Sequence, residues 1–240
     1  MIIAATAPST VAILAVVIAM WALVSAQVFF EYRHHQKESE GKYGPHIGVT
    51  KTAGSLLFVA AGLLSGVHAQ VGGWFFLTAL SLSVIGDVFL VSPQRRYFLM
   101  GLGAFLLAHM AYCGAFIVQE KEVQEKELLL AAVSAPLVFG AGFGVARWLW
   151  PYVDDKMKKP VVLYIATICT MVALSFGVMF NGGAHFTIAA VLFMISDITV
   201  ARHRFVKTEF KNRLYGLPLY YGAQILFATS AAIAPFFESV

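Results

Sequence analysis

SVIGDVFLV (Ser83–Val91) sets a single carboxylate, Asp87, inside an apolar run that extends over about residues 72–92. A bilayer core takes about 20 apolar residues to cross as a helix. The run therefore reads as a membrane helix with an acid in its wall. FMISDITV (Phe193–Val200) repeats the pattern with Asp197, 110 residues further on.

The rest of the chain agrees with this reading. Of its 240 residues, 59% are hydrophobic and 12% charged. Soluble domains carry about 25% charged residues, so this chain cannot cover itself with a polar surface. The class is an all-α, polytopic membrane protein, expected as one integral membrane domain over 1–240. Eight apolar runs stand out, at about 8–30, 49–68, 72–92, 97–118, 128–150, 160–180, 184–201 and 214–236. The breaks His68–Gly73 and Asn181-Gly182-Gly183 read as tight turns at the membrane edge. Val24-Ser25-Ala26 resembles a cleavage site, but no basic segment precedes the run and it stays apolar through Phe30. The first run is thus expected to be retained as a spanning helix.

Charge gives the orientation. With eight crossings, every Lys and Arg except Lys121 and Lys126 falls on one side. The positive-inside rule makes that side cytoplasmic and places both termini on the lumenal or extracellular face. The net charge of +4 is accounted for by this asymmetry and does not call for nucleic acid. Ile85-Gly86-Asp87-Val88 and Ile195-Ser196-Asp197-Ile198 each end a helix and each precede a basic, aromatic cluster. They fit a parallel four-plus-four helix duplication.

An ionisable side chain at membrane depth costs about 2.5–3.5 kcal/mol, and its default reading is functional. At about 1.5 Å per residue, Asp87 lies ~12 Å and Asp197 ~8 Å below the cytoplasmic edge. On the same scale His109 is ~18 Å deep, and Tyr220, Tyr221 and Gln224 are ~9–15 Å deep. Lys51 opens the second helix on that side. One pocket lined by these residues and open to the cytoplasmic leaflet is the expectation. Paired intramembrane carboxylates also describe a proton-coupled transporter, which is the alternative class. Cys113 and Cys169 lie in apolar runs, and no His or Cys spacing matches a metal site.

The segment IGDVFLVSPQRRYFLMGLGAFLLAHMAYCGAF (85–116) resembles the YhhN-like lysoplasmalogenase family, as do VLFMISDITVARHRF (191–205) and LYYGAQILFATS (219–230). The positions that carry the resemblance are Gly86, Asp87, Phe89, Leu90, Phe98, Gly101, His109, Tyr112, Phe193, Ser196, Asp197, Ala201, Phe205, Tyr220, Tyr221, Ala223 and Gln224. It covers most of 49–230 and leaves out the first helix and the 31–48 loop. Where the family often has Lys-Pro, this chain has Lys51-Thr52.

The resemblance implies hydrolysis of the vinyl-ether bond of a lysophospholipid held in membrane lipid. It implies no metal or organic cofactor. Vinyl-ether hydrolysis asks for one carboxylic acid and one carboxylate, as glycoside hydrolysis does. Two neighbouring carboxyl groups in a low dielectric do not both ionise, so such a pair holds both forms at neutral pH. The expected catalytic pair is Asp87 and Asp197, with the deeper Asp87 as proton donor and Asp197 activating water. Expected around the substrate are Lys51, His109, Tyr112, Ser196, Arg202, Tyr220, Tyr221 and Gln224, with Lys51 and Arg202 at the phosphate. Endoplasmic reticulum is expected for a eukaryotic source and plasma membrane for a bacterial one. Monomer and homodimer both stay open.

Overall fold

Hydrocarbon offers no water to backbone N–H and C=O groups, so a chain this apolar is confined to helices or a closed barrel. The computed structural model, which describes residues 10–36, 43–119, 125–179 and 183–237, is made of helices joined by short turns, with no strand among those residues. Its helices are α1 (Thr10–His35), α2 (Gly44–Ser65), α3 (Gly73–Leu90), α4 (Arg95–Gln119), α5 (Glu125–Leu149), α6 (Asp155–Gly177), α7 (Ala184–Ala201), α8 (Phe210–Ala228) and α9 (Ser230–Phe237). Among the described residues, seven spans are long and apolar enough to cross a membrane: α1 to α4, residues 132–152, α6, and α7 with the turn after it. The protein is a multi-pass integral membrane protein. α8 falls outside that set because Lys211, Asn212, Arg213, Tyr220, Tyr221 and Gln224 interrupt its apolar surface.

Consecutive helices pack as hairpins, α1 on α2, α3 on α4, α5 on α6 and α7 on α8. The circuit closes through α4 on α6, α6 on α7, and α8 on α1 and α2, while α5 packs on α6. In lipid there is no hydrophobic drive between helices, so close backbone approach and interhelical hydrogen bonds do the packing. Gly86 shows this beside Asp87, where an added Cβ would lie 2.6 Å from the Phe105 ring. That clearance lets α3 and α4 meet next to the acid. Deeper in the bundle the aromatic rings interlock: Phe76 stacks on Phe186 at 5.0 Å and Tyr112 on Phe227 at 4.1 Å.

Three local features depart from the sequence expectation. α1 runs on to His35 and α2 begins at Gly44, so the first hairpin projects further than its apolar runs. The turn after α2 is a single 3-10 turn, Val67–Ala69, between Gly66 and Gly72, both at positive φ (76° and 72°). Only glycine takes that backbone without strain. The last apolar run is not one helix. It breaks at Thr229, where the Ser65 hydroxyl donates to the Ala228 carbonyl at 2.5 Å and Ser230 donates to Gln70 Oε1 at 3.0 Å. The Ser65 hydroxyl thus fills the Ala228 carbonyl, which a continuous helix would pair with a backbone N–H. Of the second turn, Asn181 and Gly182 lie outside the described residues, as do Lys37, Lys42 and Lys121.

Candidate active site

Asp87 is three residues from the end of α3 and Asp197 four from the end of α7. Both line one cavity between the helices, with an empty volume of about 1230 Å³ counting the space open to its surroundings. Leu90, Phe98, Leu102, Val145, Leu149 and Ile165 make much of its wall.

Asp87 is 2% exposed and is held through both carboxylate oxygens. Its Oδ1 faces the Lys51 ammonium at 3.1 Å. Its Oδ2 accepts from Ser55 at 2.5 Å and Tyr220 at 2.6 Å. A buried charge is tolerated when it is paired and hydrogen-bonded, and here a cation and two hydroxyls meet that need. The Lys51 backbone is held in turn: its carbonyl accepts from the Tyr221 hydroxyl at 3.0 Å, and that hydroxyl lies 3.3 Å from Gln27 Oε1 on α1.

Asp197 has a lighter setting and an 18% exposed side chain. Its Oδ2 accepts from the Tyr164 hydroxyl at 2.6 Å, and His109 Nε2 stands 3.7 Å away. The His109 ring is fully buried, edge-on to Tyr164 and 4.6 Å from Phe193. Among the described residues, no three His, Cys, Asp or Glu gather as a metal site would.

The expected residues divide into groups. Lys51, Asp87, Ser196, Asp197 and Tyr220 line the cavity together. His109 and Tyr221 stand behind them, each touching a residue of the wall. Tyr112 and Gln224 form their own buried hydrogen bond at 2.7 Å, further into the core. Arg202 lies outside the lining, held by Asn212 Oδ1 at 2.5 Å and Glu209 Oε2 at 2.7 Å. Its partner Glu209 also pairs with Lys207 at 2.6 Å. The hydrogen bonds from Lys207 and Arg202 lower the Glu209 carboxyl to about 2, so this clasp stays charged at any physiological pH.

Four site residues escaped the sequence reading: Ser55, Tyr164, Gln27 and Glu31. Ser55 had a signal, four residues after Lys51 on the same helix face. Tyr164 looked like one more interfacial aromatic. Gln27 and Glu31 sit on the first helix, beyond the recognisable motifs, yet both are buried.

The model of the YhhN family matches residues 47–231. Among curated proteins, the lysoplasmalogenase of Mycobacterium bovis is 32% identical over 161 residues, 63% of this chain and 58% of that protein. Lysoplasmalogenase TMEM86B of Rattus norvegicus is 32% identical over 162 residues, 68% of this chain and 63% of that protein. Lysoplasmalogenase TMEM86A of Homo sapiens is 29% identical over 182 residues, covering 73% and 72%. The chain thus spans less than two thirds of the first two relatives' length. No solved structure matches it.

Proposed function

The chain belongs to the YhhN family, and on that premise we propose that it is a lysoplasmalogenase. It hydrolyses the vinyl-ether bond of a lysoplasmalogen to a fatty aldehyde and glycerophosphoethanolamine or glycerophosphocholine. One observation carries the reading: two carboxyl groups from different helices line one largely apolar cavity.

The surroundings of the two acids support roles that reverse those based on depth. Asp87 has an ammonium and two hydroxyl donors, the company of a carboxylate. A carboxylate has about four acceptor sites, and these contacts fill three, leaving one for a water. Asp197 accepts from Tyr164 through Oδ2 and serves as the acid. Asp197 gives its proton to the vinyl carbon distal to the ether oxygen, and the C=C pair forms the new C–H bond. The resulting oxocarbenium ion is stabilised by the negative field of Asp87. Water adds to the cationic carbon and passes its proton to Asp87. As the hemiacetal collapses to aldehyde, Asp87 gives that proton to the departing glycerol oxygen and the hemiacetal hydroxyl proton goes to Asp197. One water is consumed and both aspartates return to their starting states.

The same reading includes eight spans, with α8 as the eighth, in one membrane domain. It places both termini on the lumenal or extracellular face and relates the two halves by a parallel four-helix duplication. The hairpin order and the matching places of Asp87 and Asp197 near the ends of α3 and α7 support this. Of the α8 polar residues that lower its hydropathy, Asn212, Arg213 and Tyr220 line the cavity, a reason for a spanning helix to carry them. The membrane is the endoplasmic reticulum in a eukaryote and the plasma membrane in a bacterium.

The test is turnover in D₂O. Protonation at carbon leaves one deuterium on the aldehyde carbon next to the carbonyl, and a saturated 1-alkyl ether lipid is not cleaved. Aldehyde without that deuterium, under conditions where enolisation is slow, contradicts the mechanism.

A further inference from the structure

Three cationic or imidazole side chains, Lys51, His203 and Arg213, line the cavity among the described residues. Lys51 is committed to Asp87. Arg202, expected beside Lys51 at the phosphate, is held outside the lining by Asn212 and Glu209. Arg213 and His203 remain, where α7 ends and α8 begins.

Both are placed by specific devices. The chain leaves α7 through a π turn, Arg202–Val206, closed by Lys207 N–H on the Arg202 carbonyl at 2.8 Å. Turns of this kind are rare and often mark functional sites. This one brings His203 and Phe205 to the cavity wall. Arg213 is steadied by Glu31 of α1, whose Oε1 lies 3.4 Å from Nε. The Glu31 side chain is 8% exposed, and a carboxylate so buried requires a partner. Contact at Nε leaves the terminal amino groups of the fork, the part that matches a phosphate.

Spacing gives a second argument. Asp197 to His203 is six residues and Tyr220 back to Arg213 is seven, about 9–10 Å of helical rise in each case. Arg213 and His203 thus lie ~10 Å along their segments from the level of the acids. In a lysoplasmalogen, five bonds separate the ether oxygen from phosphorus, about 6–7 Å at ordinary bond lengths. A charge-assisted hydrogen bond adds about 3 Å. The two spans agree.

We propose that Arg213 and His203 bind the phosphodiester of a lysophospholipid headgroup, with Glu31 positioning Arg213. The assignment rests on the lysoplasmalogenase reading for the identity of the ligand, but its test reads binding, not turnover.

Full-length protein in maltoside micelles is titrated calorimetrically with a non-cleavable 1-alkyl lysophospholipid and with the matching 1-alkylglycerol, which lacks the phosphate. The wild type binds the phospholipid at least tenfold more tightly. Arg213→Gln abolishes that preference while alkylglycerol affinity holds, and His203→Gln reduces it. Arg213→Lys, which keeps the charge but loses the fork, retains part of it. Equal weakening toward both lipids by Arg213→Gln overturns the proposal, as does an unchanged preference. Inorganic phosphate is the last probe. If it binds in an Arg213-dependent way while the two lipids bind alike, the site takes free phosphate and the headgroup assignment falls. Because no lipid is cleaved, failure of the hydrolase reading leaves this result interpretable, and the reverse holds too.

Discussion

Asp87 and Asp197 were legible as soon as the chain was read as membranous, because a carboxylate in an apolar run has a cost that demands an explanation. Their partners were less legible. Lys51 and Tyr220 lie at the right depth, but depth does not fix rotation about a helix axis. Tyr164 could not be told from a packing aromatic until its hydroxyl was found 2.6 Å from Asp197. Arg202 shows the opposite failure: its depth fits the site, yet Glu209 and Asn212 hold it outside the lining. The Lys51–Asp87 pair yields a prediction of its own. Both residues are buried, at 6% and 2% exposure. Removing one partner of a buried pair leaves an uncompensated charge and costs about 3–5 kcal/mol. Lys51→Met is therefore expected to lower the thermal unfolding midpoint in detergent sharply. Lys51→Met combined with Asp87→Asn should be more stable than Lys51→Met alone, since no charge is left unpaired.

That the chain is helical, and roughly where its helices run, was legible, and their ends were less so. Apolar length marks where a helix enters the hydrocarbon, but the polar first turns of α2 and α8 add residues outside it. The break at Thr229 depends on Ser65 and Gln70, more than 150 residues away, and no local pattern reveals it. The larger surprise is α1. It precedes the segment matched by the family model, yet it supplies Gln27 to Tyr221 and Glu31 to Arg213. The Tyr221 hydroxyl has one proton and two acceptors in reach, Gln27 Oε1 and the Lys51 carbonyl. With the Gln27 amide turned to donate, all three groups are satisfied at once. This makes Gln27 and Tyr221 one unit behind Lys51. Gln27→Ala and Tyr221→Phe are each expected to lower kcat about tenfold with little change in KM. The double variant should be no worse than the poorer single one, as for residues that share a network. Additive losses would show that the two act separately.

The whole molecule is a ring of helices around an apolar cavity, with acids from two helices deep in its wall and basic groups where α7 meets α8. That order suits a single-chain amphiphile: headgroup at the basic end, ether bond at the acids, tail along Leu102, Val145 and Ile165. Composition foretold the membrane, and the family resemblance agrees with the family-model match over residues 47–231. The arrangement of charge within the cavity had to come from the fold. The central claim is that the two aspartates act together on a vinyl ether, and aldehyde release by purified protein in micelles tests it most directly. Wild type, Asp87→Asn and Asp197→Asn would be compared on lysoplasmalogen, with folding checked by thermal unfolding. Positioned acid–base groups contribute about 10²–10⁴-fold each. The account predicts rapid aldehyde release from the wild type and a loss of at least a hundredfold in each folded variant. Full activity in either folded variant, or no aldehyde from well-folded wild type, would contradict it.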